Sequence, residues 1–216
     1  MPHVSHERSG AHSALHHRIA AHARVYDLIQ RVVGGSVVFR HVELWLRLAP
    51  GAYVLDVGGG TGGLKRLVGA GVRHVCLDLE RAKLVGYASK FEDARPVQAD
   101  AAALPVRPGA VQAVTLALVA HHLTDGDLHT TLREIARVLA PDGVLILYDA
   151  VWAPARLAGR LLWKYDRGSH PRTVEQLAAA LGHDFDVVER PEFAVFHRYV
   201  AFRCRPRRPR STGVER

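Results

Sequence analysis

Cysteine is scarce in this chain: Cys76 and Cys204 are the only two among 216 residues. Two are too few for a disulfide scaffold, and their positions do not have zinc-site spacing. Cys76, inside the apolar stretch HVCLDLE, reads as a small core residue. No apolar run approaches the roughly 18 residues of a spanning helix. The N-terminal MPHVSHERSGAHSALHHRIAAH lacks the apolar centre of a secretory signal, so a cytoplasmic protein is expected. Lysine is nearly absent as well. Lys65, Lys83, Lys90 and Lys164 are the only lysines, so arginine carries the formal charge of +8. Part of that excess sits in the tail RCRPRRPRSTGVER, and no nucleic-acid-reading motif accompanies it. Nucleic acid is therefore not the expected partner.

What is present is the alternation of an α/β protein. After about ten flexible residues, Leu15, Ile19, Ala23, Tyr26, Ile29 and Val33 recur at helical spacing, and Gly34 and Gly35 end the run. A second short helix is predicted over Val38 to Leu48. From Ala52, short apolar strands alternate with helices: YVLDV, RHVCLDL, RPVQAD, the long run AVQAVTLALV, and VLILYDA after a Pro-Asp-Gly turn. LKRLVGAG reads as a helix turn, Ala82 to Ser89 as a helix, and Leu128, Leu132, Ile135 and Leu139 as one apolar helix stripe capped by Asp125 or Asp127. Repeated strand–helix units imply a parallel sheet with right-handed crossovers. A helix over Thr173–Leu181 and a hairpin in FDVVERPEFAVFHRYVAFRC, turning at its proline, complete the pattern. The expected fold is a Rossmann-like, doubly wound seven-stranded sheet, mostly parallel, with a C-terminal antiparallel hairpin. The expected organisation is a single domain over 11–204, divided into a helical cap (11–50), a cofactor-binding core (51–150), an acceptor-side lid (151–184) and a closing hairpin (185–204). Residues 1–10 and 205–216 are expected to be flexible.

The chemistry concentrates in VLDVGGGTGGL, residues 54–64. Gly58, Gly60 and Gly63 spell the dinucleotide pattern G-x-G-x-x-G, which alone is weak evidence. Glycines at 58, 60 and 62 let the backbone turn tightly and approach a ligand, and amides of a following helix would add donors. Asp56 decides between ligands. A carboxylate beside those amides repels a pyrophosphate and attracts an ammonium. Asp78 ends the second strand, where it can accept both hydroxyls of a ribose. Asp100 ends the third, where it can accept from an adenine amino group. Three acids at successive strand ends describe a ligand with an amine, a ribose and an adenine.

With VLDVGGGTG, CLDLE, QADAAALP, AVTLALVAHHL and REIARVLAPDGVLIL in this order, the stretch from Val54 to Tyr148 resembles the class I S-adenosylmethionine-dependent methyltransferases. The similarity is to the small-molecule branch around the ubiquinone/menaquinone C-methyltransferases. The resemblance places the cofactor-binding D-x-G-x-G-x-G loop on Asp56, Gly58, Gly60 and Gly62, the ribose acid on Asp78 and the adenine-contacting acid on Asp100. Ala101 fits either a wall of the adenine pocket or a space filler, and Glu80 either a second acid at the ribose or the start of a helix. The implied cofactor is S-adenosyl-L-methionine, with S-adenosyl-L-homocysteine as product and no metal.

Methyl transfer from a sulfonium needs alignment and exclusion of water above all, and a base only where the nucleophile carries a proton. His121 and His122, after TLALVA, and Asp149, at the end of the fifth strand, are the candidates. A pocket-shaping role for the histidines and a helix-capping role for Asp149 fit their positions equally. The stretch VWAPARLAGRLLWKYDRGSHPRT is expected to face the acceptor, with Trp163, Tyr165, His170 and Arg172 as contacts and Tyr26 of the N-terminal helix folding over the site. The same stretch also fits an amphipathic helix packed on the sheet, or loose membrane-surface contact. The first reading is a small, aromatic or lipophilic acceptor, methylated at carbon, oxygen or nitrogen. An RNA methyltransferase is the alternative, followed by an NAD-dependent oxidoreductase. Monomer and homodimer are both compatible with one amphipathic N-terminal face.

Overall fold

A computed structural model describes residues 35–153, 170–194 and 198–207. Its Cα packing divides the chain into Met1–Val37 and Val38–Arg216, and nearly all the described residues belong to the second unit. The expected N-terminal helix with Tyr26 lies outside the described residues, as do Trp163 and Tyr165.

Helix α1 (Gly35–Trp45) precedes β1 (Tyr53–Val57), β2 (Arg73–Asp78), α2 (Arg81–Ala88) and β3 (Pro96–Gln98). Then come β4 (Val111–Ala117), α3 (Asp125–Val138), β5 (Leu139–Val151), α4 (Val174–Leu181), β6 (Phe185–Glu189), β7 (Glu192–Ala194) and β8 (Arg198–Pro206). The strands order as β3-β2-β1-β4-β5-β8-β6, with β7 also paired to β8. The pairs from β3 to β5 are parallel, and β8 runs antiparallel to β5, β6 and β7.

The eight strand segments fill the seven positions expected. β6 and β7 pair with opposite halves of β8, on the side away from β5, and Ala201 N donates to Pro191 O between them. Proline has no N–H to donate, so it is tolerated on an edge strand and interrupts the pairing there. Pro191 therefore breaks one edge strand in two. It does not end the pairing: β7 follows it, and Ala194 pairs with Arg198. The hairpin also runs two residues past the expected 204, since Asp186 pairs with Arg205 and Phe185 with Pro206.

Alternation along β5 separates two cores. Leu145, Leu147 and Val151 join Leu128, Leu132 and Ile135 of α3 and Val174, Leu177 and Leu181 of α4 on one face. Ile146, Tyr148 and Ala150 join Val42, Trp45 and Leu46 on the other. Both faces of the central strands are covered, which is why their sequences read as continuous apolar runs.

Three helix expectations change at their ends. Thr124, not Asp125 or Asp127, caps α3: its hydroxyl accepts from Asp127 N at 3.2 Å. Leu139 has left the helix and opens β5. LKRLVGAG holds only a 3₁₀ turn at Lys65–Leu67. The glycines on both sides disfavour helix, so no helix N-terminus follows the loop. α4 is capped as its sequence suggests, Thr173 and Gln176 bonding reciprocally in a capping box.

Candidate active site

The glycine loop is shaped by what lies beneath it. Gly58, Gly60 and Gly62 have φ of 68°, 56° and 78°, a region side chains rarely adopt. Two of the three are also sterically obligatory. A Cβ on Gly58 would overlap Val119 at the end of β4, and one on Gly62 would overlap the ring of Tyr87 from α2. Gly59 has an ordinary φ, but its α-carbon sits over the Asp56 carboxylate and the Cys76 thiol. Gly63 is exposed with nothing near it, so its place in a G-x-G-x-x-G pattern has no structural counterpart.

Gly62→Ala should therefore destabilise the fold by ~2–5 kcal/mol, combining the left-handed backbone cost with overpacking against Tyr87. For a domain of this size that is roughly 4–20 °C in Tm. Gly63→Ala, with neither problem, should change Tm by about 2 °C or less, the effect of a surface substitution. Thermal denaturation of the two variants checks the contrast.

The three acids occupy different environments. Asp56 is buried beneath the loop: Thr115 Oγ1 donates to its Oδ1 at 2.6 Å, and His74 Nε2 lies 3.4 Å from its Oδ2. His74 Nδ1 is in turn 3.0 Å from Tyr87 Oη, whose hydroxyl burial pushes up to about 12. Asp78 anchors the loop to the end of β2, accepting from Gly60 N at 3.0 Å and Glu80 N at 2.9 Å. A carboxylate offers about four acceptor sites, so the two amides leave capacity for hydroxyls. Asp100 is exposed and accepts from Ala102 N at 2.8 Å, with half-buried Ala101 beside it. Glu80 pairs with Lys83 at 2.7 Å. Burial, with the charges of Asp56 and Asp78, pushes the Cys76 thiol well up; it stays protonated and donates weakly to Gly60 O.

Sequence reasoning missed Thr115 and His74. The signal was available, because a polar residue inside an otherwise apolar buried strand must find a partner. Thr115 stands beside Asp56 in the β1–β4 register. Leu79 was missed too. It is 66% exposed, directly after Asp78, and supplies an apolar surface at the loop's edge.

The second cluster forms where β4 and β5 end. β4 stops at Leu118, a non-glycine residue with φ of 56°, whose N–H donates to Tyr148 O. A 3₁₀ turn, Ala120–His122, follows. The structure brings His121 and Asp149 together: both are buried, and Asp149 Oδ1 lies 2.5 Å from His121 Nδ1 while Oδ2 accepts from His121 N at 3.1 Å. Asp149 Oδ1 also accepts from Ala150 N, so both carboxylate oxygens are engaged at the end of β5. His122 is exposed, its ring centroid 4.1 Å from that of His121.

Arg172, expected as an acceptor contact, turns its guanidinium onto the protein's own oxygens. It is buried, and its five N–H donors all meet protein oxygens. Nε and Nη2 bond Asp125 Oδ1, Nη1 bonds Ala120 O and His170 O, and Nη2 also bonds Leu123 O. His170 is placed beside the same turn through its backbone, its N–H donating to His121 O at 3.0 Å.

Residues 55–147 match the family model described as "Methyltransferase domain". That stretch is similar to a methyltransferase domain. The match opens on β1 and closes in β5, so it contains the glycine loop, Asp56, Asp78, Asp100 and both histidines. A ubiquinone/menaquinone biosynthesis C-methyltransferase from Hahella chejuensis is 37% identical over 147 residues, which are 59% of this chain and 55% of that protein. The chain thus spans about half the length of the curated relatives it matches. Among solved structures, a putative methyltransferase in complex with the Haloferax volcanii Trm112 activator superposes with TM-score 0.70 at 18% identity. That superposition covers 85% of this chain and 94% of the other. Geranyl diphosphate C-methyltransferase from Streptomyces coelicolor, in complex with S-adenosyl-L-homocysteine, superposes with TM-score 0.66 at 14% identity over 80% and 76%. At those identities the superpositions show a shared fold.

Its residues also fit S-adenosylmethionine as a ligand. The loop leaves no room for side chains at Gly58 and Gly62, two carboxylates lie under or beside it, and an exposed leucine adjoins Asp78. Among the described residues no group of three or more acidic, histidine or cysteine side chains could hold a metal, and no helix is long and apolar enough to cross a membrane.

Proposed function

We propose that the protein methylates a small, aromatic or lipophilic acceptor by in-line displacement from S-adenosylmethionine. The observation that carries this reading is the loop anchored by Asp78: left-handed glycines, no helix N-terminus behind them, and the carboxylates of Asp56 and Asp78 against its backbone. A pyrophosphate would want helix amides and basic groups there and would be repelled by Asp56 and Asp78. A cationic nucleoside is attracted by both.

S-adenosylmethionine supplies a methyl group already activated as a sulfonium. The chain's own part is to hold the cofactor and the acceptor in line and keep water out. Asp78 takes the ribose hydroxyls, Leu79 lies against the adenine, and Asp100 with Ala101 receives its amino edge. Asp56 acts from beneath Gly59, favouring the cationic end through its field. On the acceptor side His121 is the base, kept with its proton on Nδ1 by Asp149 so that Nε2 can take a proton from a phenol or activated carbon acid. The exposed His122 ring lies beside it as a pocket wall. The names of the relatives, C-methyltransferases of quinones and of geranyl diphosphate, support carbon as the methylated atom and a lipophilic acceptor. They favour neither an RNA substrate nor hydride transfer.

Calorimetric titration tests the cofactor assignment. Saturable binding of S-adenosylmethionine and S-adenosylhomocysteine, with no binding of NAD, is the expected result. NAD binding without either adenosyl ligand would overturn it.

A further inference from the structure

Arg172 lies at the end of the acceptor-side stretch, yet it faces inward. Its guanidinium holds the carbonyls of Ala120 and Leu123, the residues on either side of the His121–His122 pair. Asp149 holds His121 from the opposite side, through both its N–H and its ring. The turn is thus gripped twice, once by the arginine on its backbone carbonyls and once by the carboxylate on its imidazole. A buried guanidinium is costly unless every donor is satisfied, and here all five are. The only anionic oxygen among its acceptors belongs to Asp125, whose side chain is 95% exposed, so the charge is not there to make a deep ion pair. The geometry is spent on fixing this one turn.

Resting on the base role given to His121, we propose that Arg172 is a positioning residue for the reaction: it fixes the Ala120–Leu123 turn so that His121 meets Asp149 through Nδ1. The residue chemistry is specific. A planar fork with five fixed donors can reach two carbonyls on one edge and a carboxylate on another. An ammonium on a flexible stem carries three donors on one atom and cannot span them.

The test is ¹⁵N-edited imidazole NMR on the full chain, with the His121 resonances assigned by His121→Gln. Wild type should show a slowly exchanging, far-downfield Nδ1 proton and the ¹⁵N shifts of a single tautomer. In Arg172→Lys that proton should broaden or vanish, and the shifts should move toward a tautomer mixture. Asp125→Ala removes the exposed end of the clamp without touching the turn, so it should produce the same change at lower amplitude even if Arg172→Lys does not fold. Calorimetry with S-adenosylhomocysteine should give a Kd within threefold of wild type for folded Arg172→Lys, because the cofactor loop lies outside the clamp. Wild-type imidazole signals in either folded variant would overturn the proposal and leave Arg172 a stabilising residue only. A wild-type spectrum showing no Nδ1 bond would instead sink the base role of His121, a distinguishable failure.

Discussion

Asp78→Ala should weaken S-adenosylmethionine binding about a hundredfold or more, while the protein remains folded. The carboxylate makes two kinds of contribution. In the free protein it ties Gly60 N and Glu80 N to the end of β2, holding the loop in its left-handed course. In the proposed complex it is also the acceptor for two hydroxyls. Hydrogen bonds to a charged acceptor contribute ~1.5–3 kcal/mol each, and two lost to alanine exceed the ~2.7 kcal/mol of a hundredfold change in Kd. Asp78→Asn separates the parts. Its amide oxygen can still take one N–H, but the NH₂ group presents donors where the hydroxyls need acceptors. It should retain the wild-type Tm within about 4 °C, the shift of ~1 kcal/mol, yet bind nearly as poorly as alanine. Calorimetry with S-adenosylhomocysteine decides the matter. Alanine and asparagine variants that bind like wild type would remove Asp78 from the cofactor site.

Asp78 also illustrates what was legible in the sequence. The periods of the strands, the glycine spacing and the acid at the end of β2 are local features, each set by geometry within a few residues. Local signals sufficed for the parallel strands of the sheet and for placing His121 and Asp149 at neighbouring strand ends. They failed where the deciding partner is remote. Arg172 reads as an acceptor contact, and the oxygens it bonds lie 47–52 positions away, at Asp125, Leu123 and Ala120. The turn after Gly63 reads as a helix because Leu64, Leu67 and Val68 are apolar, whereas the loop's glycines leave only a 3₁₀ turn. Pro191 reads as a hairpin turn, and only the pairing of β8 with both β6 and β7 shows it interrupting an edge. Asp56 was placed correctly at the loop, but its burial under Gly59 against Thr115 and His74 depends on the β1–β4 and β1–β2 registers. On the proposed reading, that position makes it a source of field more than a direct contact.

Asp149→Asn should lower kcat ~10²–10⁴-fold, the contribution typical of a positioned base, and leave the Kd for S-adenosylmethionine within about threefold, less than 1 kcal/mol. Asp149 accepts three N–H groups: His121 N, His121 Nδ1 and Ala150 N. Asparagine has one acceptor oxygen, so at least one of those donors must face its NH₂ group. Facing the ring, that group would favour the tautomer with the proton on Nε2, which cannot accept from the substrate. The sharper readout is dependence on the acceptor. A panel of lipophilic phenols and quinols of graded acidity separates base catalysis from alignment alone. Against weakly acidic phenols, which must lose a proton during transfer, the asparagine variant should fall furthest behind. Against strongly acidic ones, already ionised at neutral pH, the deficit should shrink toward unity. A deficit constant across the panel would mean that Asp149 holds the turn in place and that no proton passes to His121. Catalysis would then rest on alignment and exclusion of water by the chain around the β4 and β5 strand ends.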